Sequence, residues 1–545
     1  MLLAAALLAA SAPTAQFDWF DYSGSDPDGA RPRAGEYRNP VLQGFYPDPS
    51  VTRVDDDFYL VNSTFAWFPG IPVWKSRDLI HWTQIGNAID RPSQLDFAKL
   101  GLSRGVFAPA IDWHDGLFYI LNTCVDCGGN FVITARNPAG PWSDPVFLPD
   151  LDGGIDAAPF FDADGSAWIV NNGPPPGKPL YEGHRAIWLQ RFDTKTLKTF
   201  GPRTLLVNGG VDIAKRPVWI EGPHVLQKDG FYYLTCAEGG TAEGHSQVVF
   251  RSRSVTGPYV PFEGNPILTQ RDLPRGRQFP ITSAGHAQLV RTAKGDWWAT
   301  FLAVRPYEGD YYNTGRETFL LPVEWKEGWP RITAPGETIG YTHRVPDLPR
   351  GTAPLPTTGA FEAREEFDGR ELPPSWMVMR NPRSHWWRLG GGRLSLEARP
   401  VGLGDFANPS FVARRQQHMN ASASTLVRFA PRSEGDEAGL AALQNDEYWF
   451  SIAVTRRAGH PVVVVKRRAG PGEAADGVVL ASAPVAPGPL RLRIDGRGGR
   501  YSFFYAGPKG AWHRLRADED GRILSTKTAG GFVGAVFGLY ARSAQ

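Results

Sequence analysis

Asp48, Asp156 and Glu221 are the side chains whose types and placing in this 545-residue sequence point to chemistry. Each precedes a turn by nearly the same interval. Counting back nine residues from Gly165 reaches Asp156, from Gly230 Glu221, from Gly295 His286 and from Gly116 Phe107; counting back eight from Asp56 reaches Asp48. One position therefore recurs five times and carries Asp, Phe, Asp, Glu and His. Carboxylates crowded together raise one another's pKa, and burial adds to the rise, which prepares a carboxyl group for acid or base work near neutral pH. A lone Asp at such a place is an ordinary turn former. Three acids in one register are better explained by a shared site.

The elements that must hold these residues are five hairpins, each a polar turn followed by an aromatic strand. They are DDDFYLVNS from Asp55, HDGLFYILNT from His114, DADGSAWIVNN from Asp162, QKDGFYYLTC from Gln227 and AKGDWWATFL from Ala293. Their turns are spaced by 60, 49, 65 and 65 residues. Units of that size hold about four short strands each, which is the size of a propeller blade. In a propeller the innermost strands surround one axis, so equivalent positions form a ring around a common well. The expected fold is all-β, a five-bladed β-propeller over residues 37–343. Trp74, Trp82, Trp142, Trp297, Trp298 and Trp325 are expected in the blade cores. His81, His114, Asp162 and Asp164 read as surface or turn residues.

At these residues the chain resembles glycoside hydrolase family 43, the β-xylosidases and α-L-arabinofuranosidases. The resemblance is carried by NPVLQGFYPDPSV, STFAWFPG with WKSRDLIHW, GIDAAPFFDADG, EGPHVLQKDGFYYL, AEGGT followed by GHS, GHAQLV, and AVRP with GRETFLLPVEW. It implies a general base at Asp48, a general acid at Glu221, and a third acid, Asp156, that orients the acid and tunes its pKa. It implies a water or a calcium ion at His286, with no cofactor required. It further implies that Arg305 of AVRP contacts the sugar and the acid pair, that Phe65 lines the pocket, and that Thr241 and His245 approach it. Many members have Trp where this chain has Phe107, so the pocket wall is expected to be smaller. The implied reaction is exo-acting and inverting hydrolysis of a glycosidic bond, with about 6.5–9.5 Å between the Asp48 and Glu221 carboxyls. The implied substrate is a xylo-oligosaccharide or an arabinose-containing glycan. A non-catalytic sugar-binding propeller and a retaining propeller hydrolase are the rival readings.

After Trp329 the repeat stops. Residues 344–360, rich in Pro, Thr and Gly, read as a linker. Residues 361–545 alternate apolar and polar positions between glycine turns, the pattern of an antiparallel β-sandwich. Here PSFVARRQQH and GLYA resemble the concanavalin-like domain appended to part of the same family. That likeness implies a loop donated to the pocket rim; a separate carbohydrate-binding role or a stabilising one is the alternative. The first sixteen residues, MLLAAALLAASAPTAQ, have the apolar run and small-residue end of a secretory leader, so a secreted or periplasmic protein is expected. Cys124 and Cys127 could close a local disulfide, and three cysteines are too few for a framework. A net charge of +2 without a basic block argues against nucleic acid, and no later apolar stretch is long enough for a membrane.

Overall fold

A computed structural model describes residues 13–151 and 153–544. The chain is almost wholly β. The helical segments among the described residues are three 3-10 turns and the short α-helix Thr526–Ala529. Five antiparallel sheets surround an axis, and their innermost long strands are Ser50–Val54, Ala110–His114, Ile155–Phe161, Glu221–Lys228 and Thr282–Arg291. Each turns back through the hairpin read from the sequence: Val54 lies opposite Asp57, His114 opposite Leu117, Phe161 opposite Ala167, Lys228 opposite Phe231 and Arg291 opposite Trp297. In two of the three two-residue turns, Asp115–Gly116 and Asp229–Gly230, both residues have positive φ. That geometry matches the strand twist, and Asp-Gly adopts it readily.

Polar side chains tie blade to blade. Ser50 donates to Gln288 at 2.6 Å, joining the first blade to the last, and Thr52 donates to Asp112 at 2.9 Å, joining the first to the second. Gln247 donates to the Ala287 carbonyl at 3.1 Å between the fourth and fifth. The ring is also fastened by Glu36–Arg38 pairing with Thr342–Arg344 and by Asn39, which exchanges hydrogen bonds with Leu320. Trp74, Trp82, Trp142 and Trp298 are buried between sheets, while Trp297 and Trp325 are half-buried around Tyr233. Cys124 and Cys127 form a disulfide and Cys236 is a buried free thiol.

The second domain is a sandwich of two eight-stranded sheets. It is not confined to residues 361–545. Thr14–Ser25 pairs with Asn420–Arg428 on one side and with Phe361–Glu365 and Leu394–Glu397 on the other, inside one sheet. Phe17, Phe20 and Tyr22 point into the core while Asp18 and Asp21 point out, the alternation of a half-buried strand. Thr14, Ala15 and Gln16, the last residues of the expected leader, pair in this ladder with Glu397, Leu396 and Ser395. The remainder of the expected leader, residues 1–12, lies outside the described residues. The other sheet ends in Trp67–Phe68, a propeller segment paired with Met377–Met379. Two stretches of chain thus stitch the domains together. Residues 344–360 run along the propeller as a strap, with the Gly351 amide donating to Asp78 and the Thr357 hydroxyl to the Val41 carbonyl.

Candidate active site

The ring of residues expected at the strand mouths forms. Asp48, Asp156, Glu221 and His286 are all buried at one end of the axis. Their backbones share a device. Asp48, Asp156 and His286 have φ of 52°, 56° and 51°, in the left-handed region that non-glycine residues rarely occupy. Such strain costs about 1–3 kcal/mol per residue and persists where surrounding structure enforces it. The ladder slips just after Ile155, just after Glu221 and just after Gly285. Each slip is a β-bulge, which re-aims a side chain at the end of a strand.

These bulges refine the expected equivalence. Gly222, with φ 56°, is the counterpart of Asp156 and His286, and Glu221 stands one residue earlier. A glycine is required there because a Cβ would lie 2.7 Å from His286 Nε2. The bare backbone lets the Gly222 amide donate to Asp156 Oδ2 at 2.9 Å.

The three acids have different surroundings. Asp48 accepts from Ser63 Oγ at 2.5 Å and from Arg316 Nη1 and Nη2 at 3.1 and 3.5 Å, and His286 Nδ1 lies 3.9 Å away. Among the described residues Glu221 has no such ion pair. Burial pushes its pKa well above the usual carboxylate range, and the charges of Asp156 and Asp48 add to the rise. Burial also raises the pKa of Asp156, against the pull of the Gly222 amide and Arg185. Glu221 is therefore suited to hold a proton and Asp48 to accept one.

Arg305 is not where the resemblance implies. Its guanidinium is fully buried and grips Glu317 through Nε and Nη2 at 2.6 and 2.8 Å, with Asp26 at 2.6 Å and the Gln417 carbonyl at 3.5 Å. These partners consume it at the junction of propeller, N-terminal segment and sandwich, so it reaches neither the acids nor a sugar. Arg316 holds that place instead. It lies in the same GRETFLL segment whose resemblance was noted. Arg185 is a second missed cation: its charge reaches Asp156 and Glu221, and its head bonds Asn172 and the Gly153 carbonyl over the Trp219 ring.

The pocket beside these groups has a volume of about 350 Å³ and is lined by both domains. Thr241, Thr282, Tyr312 and Arg316 come from the propeller, and Thr526, Lys527 and Phe532 from the sandwich. Phe532 stacks on Phe65 at 5.9 Å and meets Phe107 edge-on at 5.6 Å, with Arg316 5.2 Å above its ring. Phe65 and Phe107 themselves meet at 5.6 Å. Of these three rings only Phe532, from the second domain and without a local sequence signal, lines the pocket; Phe65 and Phe107 pack against it from behind rather than lining the pocket as expected. His245 is buried against Gly285 and does not line the pocket. Its Nδ1 bonds the Ser283 carbonyl at 2.9 Å, and burial lowers its pKa to about 4.

Below His286 is a chamber of about 10 Å³ between Asp48, Asp156 and His224, room for about one water. Burial holds His224 neutral, with a pKa of about 3. Calcium takes about six to eight oxygen ligands, and this lining offers two carboxylates among imidazoles and apolar groups. Among the described residues no three His, Cys, Asp or Glu side chains gather as a metal site. The side chains fit a water and not a calcium cage, so no step below runs through a metal.

Comparison with known proteins agrees with this architecture. Residues 37–330 match the family model Glycosyl hydrolases family 43, and residues 364–545 match the Beta xylosidase C-terminal Concanavalin A-like domain. The chain is 36% identical over 511 residues to a "Xylosidase/arabinosidase" of Butyrivibrio fibrisolvens, covering 93% of this chain and 95% of that one. It is 35% identical to the "Non-reducing end alpha-L-arabinofuranosidase BoGH43B" of Bacteroides ovatus, covering 93% and 91%. A solved structure described as a GH43_12 retrieved from capybara gut metagenome superimposes with a TM-score of 0.90 at 37% identity, over 97% of this chain and all of that one.

Proposed function

This chain belongs to glycosyl hydrolases family 43, and we propose on that footing that it removes terminal xylose from β-1,4-xylo-oligosaccharides by inverting hydrolysis. The observation that carries this reading is the contrast between two acids in one well: Asp48 held by Arg316 and Ser63, and Glu221 buried without an ion-pair partner. Environments that push two carboxyls apart in this way divide the labour between base and acid.

The sugar enters the pocket between Thr241, Arg316 and Phe532, whose ring is backed by Phe65 and Phe107. Protonated Glu221 gives its proton to the glycosidic oxygen as the bond to the leaving group breaks. Asp48 takes a proton from a water that attacks the anomeric carbon from the opposite face. The proton Asp48 gains and the one Glu221 loses are exchanged with solvent before the next turnover. Asp156 holds the Glu221 backbone through the Gly222 amide and keeps the acid protonated through its charge. Arg316 orients Asp48. The apolar first residues and the Cys124–Cys127 disulfide support a place outside the cytoplasm.

The relative named as an arabinofuranosidase favours a second reading, release of α-L-arabinofuranose, in which the acids act alike. The test is hydrolysis of 4-nitrophenyl β-D-xyloside and 4-nitrophenyl α-L-arabinofuranoside, with xylobiose as the unactivated substrate. The xyloside and xylobiose are expected to be cleaved faster, and Asp48→Asn and Glu221→Gln to lose xylobiose hydrolysis by orders of magnitude while remaining folded. Near-normal xylobiose hydrolysis by either variant would overturn the assignment.

A further inference from the structure

The run Arg415–His418, the best-matching segment of the sandwich, has no part in the mechanism above, yet it is packed under the loop that carries Asp48. Arg415 ends the strand Ser410–Arg415 and is buried. Its Nε donates to the Phe45 carbonyl at 2.7 Å, and its guanidinium lies 4.5 Å from the Phe45 ring and 4.1 Å from the Tyr46 ring. Gln417 Nε2 donates to the Gln43 carbonyl at 3.1 Å. Between these two contacts the Gly44 amide donates to Glu317 at 2.8 Å. Gly44 has φ 89°, and a Cβ there would come within 3.0 Å of Gln417 and 3.3 Å of the Arg415 side chain. Only a bare backbone lets the sandwich approach this closely.

The far end of the loop is held by the propeller. Thr318 and Asn62 donate to the Tyr46 carbonyl at 2.6 and 3.0 Å, and Asn62 also reaches the Pro47 carbonyl at 3.1 Å. Asp48 follows directly, with its left-handed backbone between two prolines. Among the described residues Arg415 pairs with no carboxylate. A buried guanidinium without one is costly to keep, and an apolar residue of similar volume would serve stability as well. Its donor and its planar face are instead spent on the two aromatic residues of FYPDP.

We propose that Arg415 and Gln417 are positioning residues for the catalytic base, by which the sandwich fixes the Asp48 loop from below. The inference rests on the reading of Asp48 as base. It makes docking of the second domain a condition of catalysis independently of the pocket wall.

The test uses the full chain carrying Arg415→Met, Arg415→Lys or Gln417→Ala, with Asp48→Asn as reference, each checked for a native near-ultraviolet circular dichroism spectrum. A displacement of about 1 Å in a reacting group costs up to about a hundredfold. Arg415→Met is expected to lower kcat about ten- to a hundredfold and Gln417→Ala about threefold, with KM within about twofold. The loss should be equal on nitrophenyl xyloside and xylobiose, because water activation is needed whatever the leaving group. Arg415→Lys, which keeps a cation and a donor, should recover part of it. If Arg415→Met does not fold, Gln417→Ala, which removes one amide hydrogen bond, carries the test. Folded variants with unchanged kcat, or a loss confined to KM or to xylobiose, overturn the proposal. An active Asp48→Asn would instead sink the functional reading itself.

Discussion

Phe532→Ala tests whether the sandwich builds the sugar site or merely adjoins it. The substitution removes a ring stacked on Phe65 at 5.9 Å with planes 22° apart, and edge-on to Phe107 at 5.6 Å and 76°. Such pairs are worth about 0.5–1.5 kcal/mol each, so the two together contribute about 1–3 kcal/mol to the order of the wall. If that order is expressed in the transition state, kcat/KM falls about five- to 150-fold. Because Phe532 is only half-buried, the lower part of this range is expected. The Arg316 guanidinium loses a ring face at 5.2 Å, so part of the loss should fall on kcat. The assay is initial-rate hydrolysis of 4-nitrophenyl β-D-xyloside, with a urea unfolding curve to show that the fold survives. Phe406→Ala is the control: this exposed ring of the same domain lies over Arg380, outside the pocket lining. A Phe532→Ala kcat/KM within twofold of the parent, or a loss no larger than that of Phe406→Ala, would mean that the sandwich merely adjoins the sugar site.

Other predictions concern the charges of the well. Arg316→Lys should lower kcat by about tenfold or more, because an ammonium does not reproduce the planar fork to Asp48; kcat and KM on xylobiose check this. Asp156→Asn keeps an oxygen to accept the Gly222 amide but loses the charge that helps hold Glu221 protonated. The alkaline limb of its kcat/KM profile should therefore move to lower pH, and an unmoved limb would remove Asp156 from that role. Glu221 has a folded-state pKa above its unfolded value, so the native state binds more protons, and stability is lost as pH rises from the unfolded pKa through the folded one. Glu221→Gln should unfold at a higher temperature than the parent at neutral pH, with the gap closing as pH falls below the unfolded pKa; differential scanning calorimetry across that range decides it.

Much of the fold could be read because its signals are local. Asp-Gly at 115–116 and 229–230 dictates a tight hairpin whatever surrounds it, and counting from such turns finds the acids. Counting is limited by turn length: the loop Asp162–Ser166 is longer than Asp229–Gly230, which hid Gly222 as the true equivalent of Asp156. Arg305 and Arg316 illustrate a second limit. Both sit near the ends of adjacent strands in the fifth blade, and only the partners Asp26 and Glu317 reveal that Arg305 is consumed at the domain junction. Phe532 and Arg415 act on residues hundreds of positions away, and no local pattern announces such contacts. The strand Thr14–Ser25 carries a legible alternation, but its ladder partners lie beyond the whole propeller.

If Asp48 activates a water on the face of the sugar opposite Glu221, the bond is cut with inversion. Proton NMR of the single xylose released from 4-nitrophenyl β-D-xyloside in the first minutes, before mutarotation, reports the face from which water attacks. α-Xylose is then expected to form first from the β-linked substrate and to decay toward equilibrium. Initial formation of β-xylose would mean retention through a covalent intermediate and would contradict the roles assigned to both acids.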